Sequence, residues 1–147
     1  MTSVNDAPVL GGANNFTPIA SYQTDNLGDL VSTLIQGKVL DADIGPLQGI
    51  AITSLSSSRG TWQYSTNGGA NWIGVGSVST TQALLLRSTD RIRFVPSFRL
   101  PMTASISFRA WDRSSGTVGA KVSTAINGGT TAFSTMIATS GISVRFS

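Results

Sequence analysis

The chain contains no cysteine and no histidine, and all of its acids are aspartates. Without cysteine there is neither a disulfide staple nor a thiol nucleophile. Without histidine the usual general base is missing, so no Ser-His-Asp or Cys-His arrangement can be assembled. Zinc, which draws on imidazole and thiolate, finds no such ligand here. Charged residues make up 12% of the chain, about half the usual share of a soluble domain. No apolar run reaches the roughly 18 residues a spanning helix needs, so no membrane insertion is expected. The N-terminus also lacks the basic-then-apolar pattern of a signal peptide, so an export address would have to lie on a longer precursor.

What is present suits strands. The 147 residues fit a single domain, and Thr, Val, Ile and aromatics outweigh the long charged side chains that favour helix surfaces. The net charge of +3 comes from dispersed basic residues, mainly arginines. Nucleic-acid binding needs a focused basic patch, and no cluster or basic tail is found.

Several segments alternate with strand period. Asn15–Tyr22 reads as a first strand, kinked or on an edge because of Pro18. Asp29–Ile35 fits one helical turn or a short strand equally well. Gly49–Leu55 alternates with Ile50, Ile52 and Ser54 on one face. Gly60–Thr66 and Ala70–Ile73 flank Asn67-Gly68-Gly69, a turn sequence that supplies positive φ angles, and Trp62 and Tyr64 share one face. Ala83–Arg87 and Arg91–Val95 follow. Ala104–Asp112 turns Ile106, Phe108 and Ala110 inward and arginine outward. A loop rich in Ser, Gly and Thr then runs to Thr131, Thr131–Ile137 is ambiguous, and Ile142–Phe146 is a last strand. Seven or eight short strands without a long amphipathic helix predict an all-β Greek-key sandwich of immunoglobulin type. Its core should hold Ile52, Trp62, Ile92, Phe94, Ile106, Phe108, Ala110, Ile142 and Val144. The surplus length should lie in loops between Gly11 and Gly45 and between Arg113 and Thr131.

Two groups of side chains are candidates for a site. Asp6, the pair Asp41 and Asp43, and Asp112 fall at predicted loops and strand ends. A cluster of carboxylates and carbonyls is the shell that Ca²⁺ takes, with six to eight oxygens at about 2.3–2.6 Å. The competing reading is plain turn-capping, in which Asp binds nearby backbone N–H groups. Trp62, Tyr64, Trp72 and Trp111 offer a carbohydrate-stacking face if exposed, with Trp111 the leading candidate for exposure between Arg109 and Arg113; large aromatics are more often core residues. Two of the aspartates could approach the separation used by glycosidases, but a calcium shell explains that proximity without a raised pKa, and the chain is not read as an enzyme.

Val4-Asn5-Asp6-Ala7-Pro8, followed by Asp41-Ala42-Asp43 and by Ala110-Trp111-Asp112 with Gly116 beyond, resembles the calcium framework of cadherin repeats. It is closer still to the cadherin-like, immunoglobulin-fold tandem repeats of large bacterial surface and secreted proteins. Gly60–Trp72 and Arg91–Pro96 resemble stretches of those same repeats. The resemblance implies that residues 1–8 are an inter-repeat linker and 9–147 one cadherin-like domain. It also implies that Asn5, Ala7, Asp41, Asp43 and Asp112 hold Ca²⁺ while Asp6 faces a preceding repeat and helps to hold ions shared across the joint. The expected role is a structural or adhesion repeat of an exported, extracellular or cell-surface protein. Its partners would be adjacent repeats, with homophilic or glycan contacts compatible. This chain departs from the family in having no glutamate to offer a following junction, so any site would be partial and weak.

Overall fold

Strand period and turn chemistry set the local structure of the computed structural model, which describes residues 7–40, 48–56, 60–97 and 101–145. The strands are β1 (Val9–Leu10), β2 (Ile19–Ala20), β3 (Asp29–Leu30), β4 (Val39–Leu40), β5 (Gly49–Ser56), β6 (Gly60–Ser65), β7 (Ile73–Gly74), β8 (Ala83–Arg87), β9 (Arg91–Pro96), β10 (Met102–Trp111), β11 (Lys121–Val122) and β12 (Ala138–Arg145). One helical turn, α1 (Val31–Ile35), interrupts them. The ambiguous segment Asp29–Ile35 is therefore both: a two-residue strand leading into one turn. The amides of Val31 and Ser32 donate to the carbonyls of Asp90 and Ser88, which satisfies first-turn donors that no side chain caps.

Two sheets face each other. One has the order β11-β8-β5-β10-β12-β2, the other β3-β9-β6-β7, and β1 pairs with β4 apart from both. All pairings are antiparallel except β2 with β12, which is parallel. Trp62, Tyr64, Ile92 and Phe94 from the smaller sheet meet Ile50, Ile52, Leu84, Leu86, Ile106, Phe108, Ala110, Ile142 and Val144 from the larger one in a single core. All nine residues expected in the core are in it. Trp62 sits between Phe16 and Phe94 with ring centroids 5.0 Å from each, a separation at which tilted aromatic pairs attract. The chain is thus a β-sandwich, with more and shorter strands than the seven or eight expected.

Ser54 does not share a face with Ile50 and Ile52; it is exposed. The register of β5 against β10 shifts between Ser107 and Phe108, with Phe108 opposite Ile52 but Ser107 opposite Ser54. Thr53 is the extra residue of a β-bulge, and one inserted residue exchanges the two faces of a strand. Leu55 consequently turns inward and packs on the core.

The larger sheet is covered on both faces. Ala51, Ala83, Leu85 and Trp111 point away from the main core and form a second cluster with Ala132 and Phe133. The covering layer is the segment that follows β10, which the sequence reads as surplus loop. It includes β11, pairs Phe133 with Trp111 in an isolated bridge, and returns Ser134 N–H to the Ala110 carbonyl. This explains why Ala83-Leu-Leu-Leu is buried throughout, as strands covered on both faces read as continuous apolar runs. Arg109 is buried with this layer instead of facing solvent. Between Gly11 and Leu40, where the other surplus loop length was expected, the described residues hold only short elements: β2 within the predicted strand Asn15–Tyr22, then β3, α1 and β4.

Candidate functional site at the Ala7 and Asp112 end

The loop that carries Asp41 and Asp43 leaves from β4 and re-enters at β5. At its departure Leu40 pairs with Val9; at its return Gly49 pairs with Trp111. Val9 follows Ala7-Pro8, and Trp111 precedes Asp112. Antiparallel register thereby brings the tail of the Asn-Asp-Ala-Pro motif, both anchors of the aspartate loop and the end of β10 to the same part of the molecule. Ala7 and Asp112 are further joined through one stretch of the covering layer: Ala7 N–H donates to the Gly129 carbonyl at 2.9 Å, and Asp112 N–H to the Ala132 carbonyl at 3.0 Å.

Of the six residues expected to bind calcium, Ala7 and Asp112 are described, and Asn5, Asp6, Asp41 and Asp43 lie outside the described residues. Among the described residues no group of three metal-ligating side chains gathers. Asp112 is 9% exposed. Its Oδ1 accepts the Ser114 N–H at 2.9 Å and the Ser114 O–H at 2.6 Å, the contact that the turn-capping reading expects. The same contact fixes the direction of the carboxylate. As a donor set, carboxylates with a backbone carbonyl and a side-chain amide match a hard cation in chemistry.

The aromatic candidates separate differently. Trp62 and Tyr64 are in the main core and Trp111 in the second cluster, 1%, 7% and 2% exposed respectively. Trp111, expected to be exposed, donates its indole Nε1–H to the Ser115 carbonyl at 2.7 Å beneath the covering layer. No stacking face can be made from these three. Trp72 keeps partial exposure, and Arg93, not Arg109 or Arg113, lies over an indole, 4.2 Å from the Trp72 ring centre. Arg93 is held there by Gln63 at 2.9 Å and by Asp25 at 3.1 Å.

The sequence reading missed two features. Asp90 is 1% exposed and closes the turn between β8 and β9 by accepting Arg87 N–H through Oδ2 and the Arg87 guanidinium at 2.8 Å through Oδ1. That hydrogen bond, with the carboxylate charge, raises the Arg87 pKa above its ordinary value. Arg109 is the second: Nε donates to Thr124 Oγ1 at 3.2 Å and Nη1 to the carbonyls of Ser134 and Thr135. The spacing Arg87-x-x-Asp90 was a legible hint of the first. Nothing local marks the second.

No helix among the described residues is long and apolar enough to cross a membrane. No family model, curated protein or solved structure matches the chain.

Proposed function

We propose that the chain is a structural or adhesion repeat of an extracellular multidomain protein, with a calcium-stiffened junction at the end where its Asn-Asp-Ala-Pro motif enters. The observation that carries this reading is the shared placement of Ala7, both anchors of the Asp41–Asp43 loop, and Asp112. Asn5, Ala7, Asp41, Asp43 and Asp112 would hold the ion, with Asp6 directed to the neighbouring repeat. Bound calcium would neutralise carboxylates that otherwise repel one another.

Strand order supports an immunoglobulin-like, cadherin-type Greek key. Taking β3, β5, β6, β9, β10 and β12 as strands B to G, the smaller sheet contains B-E-D and the larger contains C-F-G in adjacent order, the arrangement of an immunoglobulin sandwich. The departures are β7 and β8, inserted between D and E, β11 beside β8, β2 beside G, and the separate β1–β4 pair.

Calcium titration with a thermal melt tests the reading. Calcium at about tenfold above its Kd adds roughly 1.4 kcal/mol, a shift of several degrees in a domain of this size. NaCl at equal ionic strength should not reproduce it. Asp43→Asn should abolish the shift, and Asp25→Asn should leave it intact, since the exposed Asp25 carboxylate pairs with Arg93 and is not among the proposed ligands. If calcium through the millimolar range stabilises the chain no more than NaCl does, Asp112 is a turn cap and the junction reading fails.

A further inference from the structure

The turn after β10 holds Arg113 at φ 65°, in the left-handed region, where it is the single non-glycine among the described residues. Such a conformation costs an L-residue about 1–2 kcal/mol and is retained where the surroundings impose it or the exposed side chain has a use. Here the turn delivers a guanidinium to the rim of a cavity of about 260 Å³ lined by Arg87, Trp111, Arg113, Gly116, Thr117 and Val118. Arg113 has no hydrogen bond or ion pair among the described residues. Arg87 commits Nε and Nη2 to Asp90 and Thr66, which leaves Nη1 without an acceptor among them. Among the lining residues the two guanidinium groups are the only charged side chains, and the Asp90 carboxylate engages Arg87 through Nε and Nη2 only.

The cavity is also shaped for more than a bare ion. Gly116, at φ 86°, lets the loop lie against the indole: a Cβ there would meet Leu85 Cδ1 at 2.6 Å and Trp111 Cζ2 at 3.7 Å. Val118 and the Trp111 edge supply apolar wall, and Thr117 a hydroxyl. Two guanidinium forks with free N–H groups are the donors that suit a carboxylate or sulfate, and a few convergent polar groups on an apolar wall mark a small-ligand site.

We propose that this cavity binds an organic oxyanion, a carboxylate or sulfate carried on a body about the size of one sugar ring, with Arg113 as the principal contact and Arg87 Nη1 as the second. None of the lining residues is a proposed calcium ligand, so this site stands or falls separately from the junction.

The test follows the Trp111 indole and arginine Nε–H resonances of the whole chain by NMR while glucuronate, inorganic sulfate or glucose is added at constant ionic strength. Glucuronate should shift these resonances saturably, sulfate more weakly, and glucose not at all. Arg113→Gly should weaken glucuronate binding about tenfold or more, as expected for loss of a charged donor. Its melting temperature should move by only a few degrees, because glycine adopts positive φ freely. The proposal is overturned by any of four results: no saturable shift with glucuronate, equal shifts with glucose, unchanged affinity in Arg113→Gly, or sulfate binding more tightly than glucuronate, which would leave no role for the sugar-sized body.

Discussion

Replacing Arg109 by alanine tests whether the layer after β10 is part of the folded core. The guanidinium is buried on the outer face of the larger sheet and reaches Thr124, Ser134 and Thr135. No carboxylate balances it among the described residues, so its stability rests on three hydrogen bonds into one covering segment. A hydrogen bond from a charged donor contributes about 1.5–3 kcal/mol net, but burying the charge offsets part of the sum. A total loss of about 3 kcal/mol is therefore expected, because truncation also leaves two carbonyls without their donor. In a domain of this size that is a drop of roughly 6–12 °C in Tm. Arg109→Met keeps the aliphatic stem and should recover only the packing share. Hydrogen exchange gives the location of the effect: the amides of Asp112 and Ser134, which bond Ala132 and Ala110, should exchange faster than those of β5, and tryptophan emission should shift to the red as Trp111 is uncovered. A destabilisation below about 0.5 kcal/mol with unchanged exchange at those amides would place Arg109 among ordinary surface residues and refute the reasoning.

Two further substitutions, one with a glycine control, probe single contacts. Gly49→Ala would put a Cβ 2.3 Å from the Leu86 carbonyl oxygen and 2.8 Å from the Trp111 ring. It should cost about 1–3 kcal/mol or more as overpacking, whereas Gly74→Ala, with nothing within 4 Å, should be nearly neutral in the same urea denaturation series. Asp90→Asn should lower stability by about 1–3 kcal/mol, since Arg87 loses its ionic partner in a part-buried pair; an unchanged denaturation midpoint would mean that the Arg87 and Ser88 backbone contacts hold the turn without the charge.

The sequence carried the alternation of β9, β10 and β12, and with it the main core, because period-two burial is a local property of each strand. It also narrowed which metal chemistries are open to the chain, since a protein without histidine and cysteine offers no imidazole or thiolate and its acidic ligands are all aspartates. The fate of individual faces was decided by the tertiary structure. The bulge at Thr53 depends on how β5 meets β10, so no alternation within β5 could announce that Ser54 turns outward and Leu55 inward. Trp111 and Arg109 look like an exposed pair when only their own strand is considered. They are buried because a segment rich in Ser, Gly and Thr, read locally as loop, folds back over them and supplies backbone carbonyls to the guanidinium and Ala132 and Phe133 to the indole. The placement of Ala7 and Asp112 along one stretch of that segment has the same origin. The sequence holds the motif and the aspartate as separate pieces, and the register of β4 on β1 and of β5 on β10 brings them to one end, because pairing between distant strands is set by the packing of the whole chain and not by the residues of any one of them.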